Sequence, residues 1–207
     1  MKAARNARLS LLAAVAFITT PVSADDSDLS YCTVCHGAHG NGNPAIRAPK
    51  ISAMEPWYLR RQLMAFRDGI RGTHPDDAAG QEMQPVGIRL RDEAAIDAAI
   101  AYVASFKPKA PPITVTGDVA RGGLLYLACA SCHGSKGEGN QTLGAPALAD
   151  RTDWYLVTQL RNYKAGLRGS DHRDAGGAQM RALAATLPDT RAIDDVVAYI
   201  NTLRERR

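Results

Sequence analysis

Cys32-Thr33-Val34-Cys35-His36 and Cys129-Ala130-Ser131-Cys132-His133 contain every cysteine of the 207-residue chain. Cys-x-x-Cys-His is the attachment signature of c-type haem. Two thiols on one helical turn can each add to a vinyl group of the same porphyrin, and the adjacent histidine then lies beneath the ring as proximal iron ligand. The competing readings fit less well. A zinc ribbon places its second Cys pair roughly 15–20 residues after the first, whereas Cys32 and Cys129 lie 97 positions apart. A thioredoxin-like dithiol calls for one such motif after a strand, without trailing histidines.

Haem attachment of this kind takes place outside the bacterial cytoplasmic membrane, and the N-terminus supports export. Lys2, Arg5 and Arg8 precede a mostly apolar stretch from Leu9 to Val22, and Val22-Ser23-Ala24 offers small residues for signal peptidase. Residues 1–24 are read as a signal peptide cleaved before Asp25, with an uncleaved anchor as the alternative. The apolar stretch is shorter than the roughly 20 residues a bilayer crossing needs. The expected location is the periplasm. Without the leader the chain holds 22 basic and 21 acidic residues, so the net charge of +4 reflects the leader. No basic stripe with interleaved aromatics points to nucleic acid.

The chain repeats itself at an offset of 97 without a gap. Besides the two haem motifs, Gly37, Gly40 and Gly42 match Gly134, Gly137 and Gly139, and Ala48-Pro49 matches Ala145-Pro146. Trp57-Tyr58-Leu59 with Gln62-Leu63 matches Trp154-Tyr155-Leu156 with Gln159-Leu160, and Gly69, Arg71 and Gly72 match Gly166, Arg168 and Gly169. The expected division is a first module at 25–107, a proline-bearing extended connector at 108–117, and a second module at 118–207.

Both modules read as helical. Helices are expected over 56–68 and 153–165, over 92–105 and 190–203, and leading into the second haem motif over 118–131. No alternating pattern argues for a sheet. The glycine-rich stretches 37–42 and 134–139 follow no strand and lack the Lys-Ser/Thr of a phosphate loop, so they read as surface loops around a haem edge. Such small modules bury modest cores, and a chain without haem is expected to fold poorly.

The second axial ligand decides between electron transfer and catalysis. Met83 and Met180 each lie 47 residues after their histidine and match in register, whereas Met54 and Met64 face Arg151 and Arg161 in the other repeat. His39, His74 and His172 do not recur, though His74 and His172 stand as reserve ligands. The iron ligands are therefore read as His36 and Met83, and His133 and Met180, with Cys32, Cys35, Cys129 and Cys132 as thioether positions. Thioether ligation favours ferrous iron and fills the coordination sphere. Pro49 and Pro146 are expected to offer a backbone carbonyl to the free ring nitrogen of His36 and His133. Trp57, Trp154, Arg71 and Arg168 are candidates to hold the propionates; helix packing for the tryptophans and a solvated surface for the arginines are the alternatives.

The duplicated modules, each with Cys-x-x-Cys-His-Gly, Pro, Tyr-Leu-x-x-Gln-Leu, Gly-x-Arg and a late Met, resemble the dihaem cytochrome c4 family. That resemblance implies an all-α protein of two tandem class I cytochrome c domains related by a pseudo-twofold, carrying two covalent haem c groups. It further implies a periplasmic electron carrier, not an enzyme, between a quinol-oxidising cytochrome complex and a terminal oxidase. Peripheral membrane association stays open. The alternative is the electron-accepting subunit of a periplasmic oxidoreductase, such as a flavoprotein sulfide dehydrogenase. One departure stands out: only seven residues separate the cleavage point from Cys32, so the first module's leading helix should be short.

Overall fold

The computed structural model describes residues 28–204; the expected leader and its cleavage point lie outside them. Eight α-helices follow in chain order: α1 (Tyr31–His36), α2 (Pro56–Arg67), α3 (Ala78–Arg89), α4 (Glu93–Ala104), α5 (Val119–His133), α6 (Asp153–Lys164), α7 (Ala175–Ala185) and α8 (Thr190–Leu203). Among the described residues there is no strand, only the isolated bridges Asn43–Ala48 and Asn140–Ala145. The fold is two tandem all-α modules. No described helix is long and apolar enough to cross a membrane.

The repeat dictates the helix starts: α6, α7 and α8 begin 97 residues after α2, α3 and α4. Their caps repeat as well. Asp77 and Asp174 accept from Gly80 N and Gly177 N at the starts of α3 and α7. Asp92 and Asp189 do the same for Ala95 N and Ala192 N at α4 and α8. Each such side chain satisfies an orphan helical N–H, typically worth about 1 kcal/mol.

The helices α3 and α7 were not expected from the sequence. They carry Gly80, Pro85 and Gly87, and Gly176 and Gly177, residues that local propensity places outside helices. Packing explains three of these glycines. Gly72 and Gly169 turn the chain with φ of 85° and 78°, and a Cβ on either would strike the backbone carbonyl of Gly80 or Gly177. Gly87 crosses so close to α2 that a Cβ would come within 2.7 Å of Arg67 N. Tertiary close approach thus outweighs helix propensity, and it packs α3 on α2 and α7 on α6.

Each module has its own core. Leu59, Leu63, Leu90, Ile96 and Val103 centre the first, and Val157, Leu187, Ile193, Val197 and Ile200 the second. The modules differ at their leading helices. α5 has fifteen residues and lies along α8 in the most extensive helix contact of the molecule, whereas α1 has six. As a result α8 is buried on nearly every side and α4 on one face.

The connector is strapped down on Asp153, which stands where the first module has Pro56. This fully buried carboxylate accepts from Thr114 N at 2.6 Å, Thr114 Oγ1 at 2.8 Å, Val115 N at 2.9 Å and Asn201 Nδ2 at 3.2 Å. Burial works against its charged form, but the donors from Thr114, Val115 and Trp154 outweigh it and hold its carboxyl below the usual range. A depressed carboxyl contributes stability above its unfolded pKa of about 3.9, lost as the pH falls through the folded value. Asp153→Ala is expected to cost about 2–4 kcal/mol at neutral pH. The wild-type advantage in thermal melting should shrink below about pH 4, where the unfolded carboxyl protonates.

Candidate haem sites and the domain interface

The haem motifs close their helices. Cys32, Cys35 and His36 end α1, Cys129, Cys132 and His133 end α5, and Gly37 and Gly134 turn the chain away at φ of 78° and 81°. No disulfide joins the cysteines. Burial pushes the Cys32 and Cys129 thiols up.

Both histidines are buried and held identically. His36 Nδ1 lies 2.7 Å from Pro49 O, and His133 Nδ1 lies 2.7 Å from Pro146 O. A carbonyl can only accept, so Nδ1 carries the proton and Nε2 presents its lone pair. Burial lowers both pKa values more than the proline carbonyls raise them, leaving neutral imidazoles near pH 7. The expected proline contact is present in both modules.

In the second module Cys129, Cys132, His133 and Met180 line a single cleft, walled by Leu156, Leu160, Val196 and Ile200. It encloses about 1520 Å³ free of protein atoms, including its open mouth. Met83 occupies the matching place on α3. Met54 and Met64 pack instead on the first core, though Met54 also reaches the second cleft. None of His39, His74 and His172 lines that cleft; His39 and His172 are exposed and His74 stands 4.0 Å from Asp76.

Residues of the first module complete the cleft: Lys50, Tyr58, Arg61 and Gln62 belong to its wall. Here the arginines depart from the solvated-surface alternative. Arg71 donates to Gln62 Oε1 at 2.7 Å, Tyr155 Oη at 3.0 Å and Gln159 Oε1 at 3.1 Å. Arg168 mirrors it, donating to Gln159 Oε1 at 2.7 Å, Gln62 Oε1 at 2.7 Å and Tyr58 Oη at 3.3 Å. Each guanidinium also stacks on an aromatic ring of its own module, Phe66 at 4.5 Å and Tyr163 at 4.6 Å. The recurrent Tyr, Gln and Arg of the repeat therefore build a pseudo-twofold interface. A second reciprocal pair flanks it: Lys50 N donates to Thr152 Oγ1 at 3.2 Å, and Ala147 N to Glu55 Oε1 at 2.6 Å. The tryptophans meet the neighbouring tyrosines edge-on, and neither lines the second cleft.

The donors fit a haem with its two carboxylates. Arg168 lines the cleft, and its Nε is buried without a hydrogen-bond partner. Lys50, 5 % exposed, donates from Nζ to Asp150 O at 3.5 Å. Buried donors left this short of acceptors suit an acidic group in the cleft.

Comparison with known proteins agrees with this geometry. The cytochrome c family matches residues 29–107 and again 119–204. Cytochrome c4 of Pseudomonas aeruginosa is 30 % identical over 201 residues, covering 93 % of each chain. The chain belongs to the cytochrome c4 family. The crystal structure of reduced cytochrome c4 from Pseudomonas stutzeri aligns with a TM-score of 0.63 at 26 % identity, covering 84 % of this chain and 94 % of that one. A thiosulfate dehydrogenase electron acceptor of Stutzerimonas stutzeri is 32 % identical over 168 residues, covering 74 % of this chain and 72 % of its own. This cytochrome thus carries two covalently bound haem c groups and is a dihaem electron carrier.

Gln159→Leu removes the acceptor shared by Arg71 and Arg168 and leaves buried guanidinium donors facing hydrocarbon. We expect a loss of about 2–3 kcal/mol in thermal or denaturant unfolding, since hydrogen bonds to charged groups are the strong class. Gln159→Glu, which keeps an acceptor, should retain most of it.

Proposed function

We propose that the protein is a periplasmic shuttle carrying electrons from a quinol-oxidising cytochrome complex to a terminal oxidase. In this reading Cys32 and Cys35, and Cys129 and Cys132, form the thioethers. His36 with Met83, and His133 with Met180, ligate the two irons. The observation that carries it is the gathering of Cys129, Cys132, His133 and Met180 around one cleft, with the same four residue types in register in the first module.

When bound, each haem supplies a one-electron ferric/ferrous couple. The chain's own residues do the rest. Pro49 and Pro146 fix the imidazole rings, and the leucine-lined walls exclude water. Met83 and Met180 would supply the remaining ligand to each iron, which would leave no coordination site open to oxygen or peroxide. The N-terminal Lys2, Arg5 and Arg8 with the apolar stretch behind them supply the export signal.

A second reading is supported by the relative described as a thiosulfate dehydrogenase electron acceptor. There the same ligands serve a dedicated enzyme partner instead of the respiratory chain. Adding the purified holoprotein to membranes stripped of soluble cytochromes separates the two. Restored quinol-driven oxygen uptake supports the shuttle. Failure of that uptake, with reduction only in the presence of a thiosulfate-oxidising enzyme, selects the acceptor reading. Met83→His and Met180→His should each lower the midpoint potential of one haem and leave the other in place; an unchanged pair of potentials contradicts the ligand assignment.

A further inference from the structure

The two methionines sit on helices of unequal strength. Beyond Met83, α3 carries Pro85 and Gly87 where α7, beyond Met180, has Ala182 and Ala184. Pro85 has no N–H for the carbonyl of Gln81, and proline and glycine are the poorest helix formers, whereas alanine is the best. The helices that bear the cysteines are unequal too. α5 is anchored along α8 by its length, while among the described residues the short α1 forms no extensive contact with another helix. The first module therefore combines a weaker methionine helix with a less supported cysteine helix.

A contact that the second module lacks joins these two elements. The guanidinium of Arg89, the last residue of α3, lies 4.5 Å from the centre of the ring of Tyr31, the first residue of α1. Its positive charge also acts on Asp28 and Cys32, close to Tyr31 in the chain. Tyr31 packs on the first core, which fixes its ring as a platform. A guanidinium over an aromatic face is held by the ring's quadrupole as well as by contact. At the mirror positions stand Ala128 and Thr186, which can form no such pair.

We propose that Tyr31 and Arg89 are positioning residues that latch α3 to α1 and so keep Met83 on the first iron. The hold of Met83 then depends on a surface contact, and that of Met180 does not. Segments with few buried contacts open ahead of the rest of a structure, and the stack restrains such an opening at the end of α3. When it opens, Met83 leaves as a neutral thioether, an incoming ligand takes its place, and no electron moves. The inference rests on the ligand reading above.

The test follows displacement of methionine by imidazole in the ferric holoprotein, through loss of the weak red absorption band of methionine-ligated ferric haem. At about pH 8 the probe is mostly neutral, so loss of a surface charge does not alter its approach. In Met180→His the band reports the first module alone, and in Met83→His the second alone. Arg89→Gln and Tyr31→Leu, each added to Met180→His, should speed displacement about twofold to fivefold. Added to Met83→His they should change nothing. Together they should be no faster than the faster of the two, because both remove the same contact. Tyr31→Phe, which keeps the ring, should hold the parent rate. Arg89 is exposed, so Arg89→Gln decides the matter if Tyr31→Leu fails to mature. Unchanged rates in folded variants, equal acceleration in both modules, or independent effects of the two substitutions overturn the proposal. A haem count other than two per chain, or a methionine band absent from either parent variant, would instead sink the underlying reading.

Discussion

The two modules are held to one another by two guanidinium groups, Arg168 buried and Arg71 half-buried, that share their acceptors. Arg71 and Arg168 reach across a pseudo-twofold to the same pair of glutamines, so neither charge can be removed without stranding part of the other's network. Buried charges are costly unless hydrogen bonds of this quality offset their desolvation. Duplication supplies it directly, because a self-complementary patch on one copy meets its twin on the other, as in an isologous dimer. The connector then makes the association intramolecular, and Asp153 pins that connector to α6 and α8.

On this symmetric frame the copies have diverged where symmetry is not needed. The second has a full leading helix covering α8, and the first has only the turn that bears its cysteines. Cys35 is accordingly exposed and Val34 is 77 % exposed, whereas Cys132 is half-buried. Lys50 and Arg61 belong to the same divergence, since the second repeat carries Ala147 and Thr158 in their places.

Much of this was legible in the sequence because the repeat does the work of an alignment. Register alone separated Met83 and Met180 from Met54 and Met64, and it picked out Pro49 and Pro146, whose carbonyls lie where expected. The helices over 56–67, 93–104, 153–164 and 190–203 fell within a residue or so of expectation. What failed was whatever depends on contacts between distant segments. The methionine helices α3 and α7 are rich in glycine, and α3 also holds a proline. Those residues read as breakers until Gly72 and Gly169 are seen against Gly80 and Gly177. Arg71 and Arg168 carried a signal, recurrence in register, but a lone arginine after Gly-x looks like solvated surface. Only the fold shows its acceptors, which lie 84 to 110 residues away or on the preceding helix.

The central claim is that both irons are closed on both faces, which makes the protein a carrier and not a catalyst. An absorption spectrum of the reduced holoprotein, before and after carbon monoxide, tests it most directly. The account predicts sharp c-type bands that the gas does not alter. A substantial carbon monoxide shift would reveal an open iron, remove Met83 or Met180 from the ligand set, and contradict it.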